Sequence, residues 1–152
     1  IIHRAKYQGR PVLMKSMGER FAREIAPDGF FDGIDLILPV PLHWVKMIRR
    51  GYNQSRYLAE GIGKVTGLPV GNHLVAKRGH STQTSRTDFS RWLNAQSVYA
   101  VRDAGVLAGK HILVTDDVIT TGATMIACCN AIISAVPDAK VSVLSLGVAH
   151  MS

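Results

Sequence analysis

Two adjacent carboxylates, Asp116 and Asp117, stand just ahead of the run Thr120-Thr121-Gly122-Ala123-Thr124. An apolar run, Ile112 to Val114, precedes them and reads as a buried strand that turns sharply polar at its end. Adjacent carboxylates are costly to keep dry and unpaired, so the pair is expected at a strand end facing a cleft. The small residues that follow lead into a helix. They supply backbone N–H groups and hydroxyls at its N-terminus, the standard provision for a phosphate. Carboxylates able to grip sugar hydroxyls beside a phosphate cradle imply a site for a phosphorylated ribose. An ordinary capped strand–turn–helix joint needs only one such residue.

The same stretch resembles the phosphoribosyl pyrophosphate (PRPP) signature of type I phosphoribosyltransferases. That resemblance implies that Asp116 and Asp117 contact the ribose 2′ and 3′ hydroxyls. It gives Thr120, Thr121, Gly122, Ala123 and Thr124 the 5′-phosphate. Receiver domains also place an aspartate pair after an apolar strand, but they need a third aspartate at a later strand end. Here only Asp138 follows, in the turn-like context Val136-Pro-Asp-Ala139. Neither G-x-G-x-x-G nor G-x-x-x-x-G-K occurs, so dinucleotide and Walker-type sites are excluded.

The 152 residues amount to one domain, of globular composition, with no apolar run of membrane-spanning length and no signal peptide. The only cysteines, Cys128 and Cys129, are adjacent within a predicted helix and cannot form a disulfide framework. A reducing, cytoplasmic compartment is therefore expected. The chain begins with Ile1, which suggests a fragment of something longer.

The net charge of +7 is concentrated in the middle of the chain. Between His43 and Arg91 stand Lys46, Arg49, Arg50, Arg56, Lys64, Lys77, Arg78, Arg86 and Arg91, against only Glu60 and Asp88. A multiply phosphorylated ligand fits this distribution. A nucleic-acid surface gives the same signal, so charge alone does not choose between them.

These residues must be held by alternating strands and helices. Ile1 to Gln8 reads as a short edge strand. A helix beginning at Pro11 carries Met14, Met17, Phe21 and Ile25 along one face and ends at Pro27-Asp28-Gly29. Ile34 to Val40 reads as a buried strand running into a basic loop, Pro41 to Gln54. A helix from about Asn53 to Val65 follows, with a stripe of Leu58, Ile62 and Val65. Arginine forks match phosphate oxygens, which makes Arg49 and Arg50 candidate pyrophosphate ligands. After the central motif a helix buries Met125, Cys129, Ile132 and Val136. Lys140 to Val148 is nearly continuous in apolar residues, as expected of a central parallel strand. This order predicts an α/β fold, a parallel sheet wrapped on both sides with ligands at the strand carboxyl ends. The six histidines show no metal-ligand spacing.

A second resemblance covers most of the chain. Pro39-Val-Pro41 followed by Arg49-Arg-Gly-Tyr-Asn-Gln54 is similar to the competence protein F (ComF/GntX-like) family. The pattern continues through Lys77-Arg78, Gln83-Thr84, Arg91-Trp-Leu-Asn94 and Tyr99-Ala-Val101. It implies a single type I phosphoribosyltransferase domain over residues 1–152, a central parallel sheet flanked by helices with a mobile lid loop. It also implies a pyrophosphate loop containing Pro41, Arg49, Arg50, Asn53 and Gln54. The long polar insert between Val75 and Val98 is then the lid that closes over PRPP, with Arg78, Gln83, Thr84, Arg91 and Asn94 as its candidate residues. Relatives of this type begin with a four-cysteine, zinc-binding segment that this chain lacks, by truncation or by divergence.

The implied reaction is displacement at ribose C1 of PRPP by a nitrogen nucleophile, with pyrophosphate leaving. Asp116, Asp117, Arg49 and Arg50 would be the catalytic residues, acting by position and electrostatics. Mg²⁺ is the implied cofactor. It would be carried by the diphosphate and ribose oxygens rather than by direct protein ligands. Purine-salvage relatives carry an aspartate where this chain has Thr120, and the wording Asp116-Asp-Val-Ile-Thr120 is closer to orotate and amido phosphoribosyltransferases. The partners implied are PRPP and an unidentified nitrogen acceptor, with a homodimer left open. The alternative is a non-catalytic protein of the competence apparatus that binds PRPP or single-stranded DNA.

Overall fold

The computed structural model describes residues 11–77 and 98–149. Its sheet has three parallel strands in the order β1 (Leu36–Pro39), β4 (His111–Ile119), β5 (Lys140–Val148). Leu36 to Pro39 pair with Ile112 to Thr115, and β4 pairs with β5 from His111↔Lys140 to Ile119↔Val148. Residues 69–71 run along the free side of β1, where Ile37 donates to the Pro69 carbonyl and accepts from Gly71 N–H, each at 2.9 Å.

Alternation along the strands divides the core into two layers. Ile37 and Leu113 point to one face and pack with Met14, Leu58 and Ile62 from helices α1 (Pro11–Ile25) and α3 (Gln54–Thr66). The two helices approach closely because Gly18 and Gly61 lie at their crossing. A Cβ on Gly61 would collide with the Lys15 carbonyl and one on Gly18 with the Leu58 carbonyl. Leu36, Leu38, Ile112 and Val114 point to the other face, under helix α4 (Ala123–Ala135) and an antiparallel pair, β2 (Leu74–Ala76) and β3 (Tyr99–Val101).

The α/β architecture with helices on both sides of a parallel sheet is as expected, and several local expectations are corrected. The stretch Pro41–Gln54 is not all loop, because residues Trp44–Arg50 form a helix, α2. The strand at the central motif does not stop before the aspartates. Pairing with β5 carries β4 through Asp116 to Ile119. Residues Lys140–Val148 do form a strand. Among the described residues, however, it pairs only with β4, which is the central one. Its apolar run reflects half-cover from both layers, with Val141 packing on the α4 side and Leu144 and Leu146 on the α1 side. In α4 the fully buried cysteine is Cys128, while Cys129 is half-buried, because Met125, Cys128 and Ile132 share the inner face. Ile1 to Gln8 and the lid residues Arg78, Gln83, Thr84, Arg91 and Asn94 lie outside the described residues. Among the described residues no helix is long and apolar enough to cross a membrane.

Candidate functional site

β1 ends at Pro39, opposite Thr115, so β4 runs on beyond its neighbour. The gap is filled by the start of α3. Asn53 caps that helix, its side chain accepting from Ser55 N–H at 3.1 Å while its amide donates to the Val40 carbonyl at 3.0 Å. This fixes Ser55, whose hydroxyl donates to Asp116 Oδ1 at 2.6 Å. The same oxygen accepts from the Asp117 N–H at 2.9 Å.

The Asp117 carboxyl neighbours that of Asp116. Burial, together with that neighbour, pushes the Asp116 carboxyl up to about 7 against the opposing pull of the Ser55 hydroxyl. Asp117 is the more deeply buried, 7% exposed, and its Oδ2 has no hydrogen-bond partner among the described residues. Thr115, fully buried, has an equally unpartnered hydroxyl. Such groups are expensive to leave unsatisfied.

The phosphate-loop residues follow directly. Thr120 and Thr121 are exposed, and Gly122 adopts a left-handed conformation, φ 84°, at the N-cap of α4. That φ strains any residue with a side chain, which is why glycine stands there. The Thr121 hydroxyl accepts from Ala123 N–H at 3.2 Å. Gly122 itself brings no capping side chain and no acidic residue occupies the first turn of α4, so beyond the Ala123 N–H its N-terminal dipole is open to an anion. Thr120, Thr121, Gly122 and Thr124 join Asp116 around a small cleft of ≈ 50 Å³. Asp117 does not line it. The pair therefore divides its roles, Asp116 at the cleft and Asp117 buried behind it.

The expected pyrophosphate residues also separate. Arg49 is exposed on α2, whereas Arg50 is half-buried and donates to Gln54 Oε1 at 2.6 Å. Gln54 is only 3% exposed; its Oε1 holds Arg50, while its Nε2 has no hydrogen-bond partner among the described residues. Pro41 and Asn53 line a different cleft, of ≈ 250 Å³, beside β2.

Two residues given no role by the sequence enter here. One is Ser55, whose position two residues after an N-cap asparagine was the available signal. The other is Tyr99, whose phenol lies near Thr124; burial pushes it up to about 12, with smaller contributions from Cys128 and Asp116. Nothing in the sequence links Tyr99 to that loop, because the pairing depends on how β3 packs over α4. Among the described residues no group of three or more His, Cys, Asp and Glu side chains is placed to hold a metal ion.

Comparisons place this geometry among known proteins. The sequence matches no protein-family model. It is 30% identical over 93 residues to competence protein F of Haemophilus influenzae, covering 60% of this chain and 41% of that protein. It is 27% identical over 128 residues to the DNA utilization protein YhgH of Escherichia coli, covering 82% of this chain and 56% of that one. The chain thus spans about half the length of the curated relatives it matches. Its fold superposes on the glutamine PRPP amidotransferase of B. subtilis with a TM-score of 0.57 and 21% identity, over 86% of this chain and 25% of that one. For adenine phosphoribosyltransferase of Saccharomyces cerevisiae the values are 0.57 and 12%, over 92% and 70%. The chain has the phosphoribosyltransferase fold and is similar in sequence to competence protein F and the YhgH proteins.

Proposed function

We propose that this protein binds PRPP and transfers its phosphoribosyl group to a nitrogen nucleophile with release of pyrophosphate. The observation that carries this reading is the single cleft shared by Asp116 and the open N-terminus of α4. A 5′-phosphate at Thr120 to Thr124 would place the ribose of the same molecule over Asp116. Asp116 takes its bonds from Ser55 and from the Asp117 N–H on one oxygen, which leaves its second oxygen for a sugar hydroxyl.

In the reaction the C1–oxygen bond to the diphosphate breaks, the nitrogen–C1 bond forms, and the electron pair leaves with the diphosphate. The residues act by holding the phosphate and ribose ends still while charge grows on the leaving group. Mg²⁺ would neutralise that charge when bound. The described residues offer an aspartate pair but no third acidic, histidine or cysteine ligand beside it, a donor set suited to a cation that arrives on the diphosphate. Arg49 and Arg50, in the last turn of α2, are the candidate cations of the pyrophosphate loop, with Gln54 positioning Arg50.

A second reading has its own support. The relatives are named for competence and for DNA utilization, which fits a protein that binds PRPP or single-stranded DNA without catalysis. Pyrophosphate release, screened across nitrogen nucleophiles with PRPP and Mg²⁺, decides between the two. PRPP-dependent release with any member supports transfer. No release, together with salt-dependent binding of single-stranded DNA that PRPP leaves unchanged, supports the second reading.

A further inference from the structure

The larger cleft beside β2 contains two cations that the reading above does not use. Arg56 projects from the first turns of α3 and Arg102 from the end of β3, and both line the cleft. Their heads are held by neighbouring carbonyls of one turn: Arg56 Nη1 donates to the Gly71 carbonyl at 3.4 Å, and Arg102 Nε donates to the Asn72 carbonyl at 2.9 Å. The turn is tight. A Cβ on Gly71 would come within 2.7 Å of His73 Nδ1 and 2.9 Å of a Leu38 methyl.

Arg56 also meets Glu60 at 3.4 Å, but among the described residues no carboxylate pairs with Arg102. Arg102 uses Nε for the turn, which leaves the two Nη groups of its fork for another acceptor. Leu42, Met47 and Leu74 form apolar parts of the wall.

The cleft adjoins the aspartate site. Its Pro39 pairs with Thr115, the residue before Asp116. Its Asn53 caps the helix whose Ser55 holds Asp116.

We propose that Arg56 and Arg102 form an anion clamp that takes an oxyacid group of the ligand bound at this rim. The proposal rests on the phosphoribosyl reading for its choice of ligand, not for the clamp itself. Two groups have the required chemistry, the diphosphate of PRPP and an acid carried by the nitrogen acceptor. The cleft that the clamp lines also includes Pro39, on the strand paired with the Asp116 strand.

Calorimetric titration separates these sources. Inorganic pyrophosphate represents the first, and 3-aminobenzoate, with its uncharged amide as control, represents the second. The wild type is compared with Arg102→Gln, Arg56→Lys and, as a charge control, Lys46→Gln on the exposed face of α2. At least one acid is expected to bind and to weaken about tenfold or more in both arginine variants, but not in Lys46→Gln. Loss of pyrophosphate binding assigns the clamp to the diphosphate; preference for the aminobenzoate over its amide, lost in the variants, assigns it to the acceptor.

The proposal is overturned if neither acid binds the wild type, if the arginine variants bind as the wild type does, or if Lys46→Gln weakens binding equally. Arg102 is exposed, so Arg102→Gln holds the test should Arg56→Lys disturb α3. Ribose 5-phosphate is titrated in parallel. Its failure to bind the wild type counts against the phosphate cradle, whereas the acids report on the clamp independently.

Discussion

Two strand-to-helix joints meet at the carboxyl rim of this sheet, and they are finished in opposite ways. The joint from β1 into α3 is closed by its own side chains. Asn53 caps the helix and ties back to Val40, Gln54 is buried against Arg50, and Ser55 reaches across to Asp116. The joint from β4 into α4 is left open, with Gly122 at the cap, exposed threonines before it and no acidic residue in the first turn of the helix. A closed joint stiffens the rim, and an open one leaves room for a ligand. The contrast also explains why Asp116, set between them, is gripped from the α3 side yet lines the α4 cleft.

The largest effect should come from closing the open joint. Gly122→Val places a β-branched residue at a φ of 84° and should abolish PRPP binding, at least a hundredfold loss by calorimetry, while circular dichroism shows a folded protein. Unchanged affinity would make the loop an ordinary turn. Asp116→Asn comes next. It keeps the shape but loses the charge and half the acceptor capacity. Hydrogen bonds to charged groups contribute roughly 1.5–3 kcal/mol, so ribose 5-phosphate and PRPP should each bind roughly tenfold to a hundredfold more weakly. Loss confined to Mg²⁺-dependent PRPP binding would instead make the pair a metal site.

The closed joint should respond in stability. Asn53→Ala removes both the cap and the tie to Val40 and should lower unfolding free energy by about 1 kcal/mol in urea titrations. No change in midpoint would mean that the joint is held by packing alone.

A further effect is in pH dependence. The folded pKa of Asp116 lies above its unfolded value, so between about 4 and about 7 the folded state binds the extra proton. This group's contribution to stability therefore falls as pH rises through that window. Asp116→Asn should flatten that slope. Ser55→Ala, which removes the hydrogen bond that favours the charged form, should carry the fall to higher pH. A wild type and an Asp116→Asn variant with the same slope would show that the carboxyl is not perturbed.

Much of this was legible in the sequence because it depends on local patterns. The Thr120 to Thr124 run marks the entrance of a helix through residue type alone, with Gly122 at its N-cap, and helix periodicity located α1, α3 and α4 within a few residues. What was hidden depends on pairing partners. Nothing in Asp116-Asp117 says that β5 draws the strand through them, since that depends on register with Ser145 and Val148. The burial of Asp117, the occupation of Gln54 by Arg50 and the meeting of Arg56 with Arg102 at one turn join residues far apart or on different elements. The basic residues of the middle segment could be counted, but only the fold distinguishes those that line a cleft from those that face solvent.

The most direct test of the central claim is a calorimetric titration of ribose 5-phosphate and of PRPP with Mg²⁺ into the wild type and Asp116→Asn. The account predicts that both ligands bind the wild type, PRPP the more tightly, and that both weaken by a similar factor in the variant. It is contradicted if neither ligand binds the wild type, or if both bind Asp116→Asn as tightly as they bind the unaltered protein.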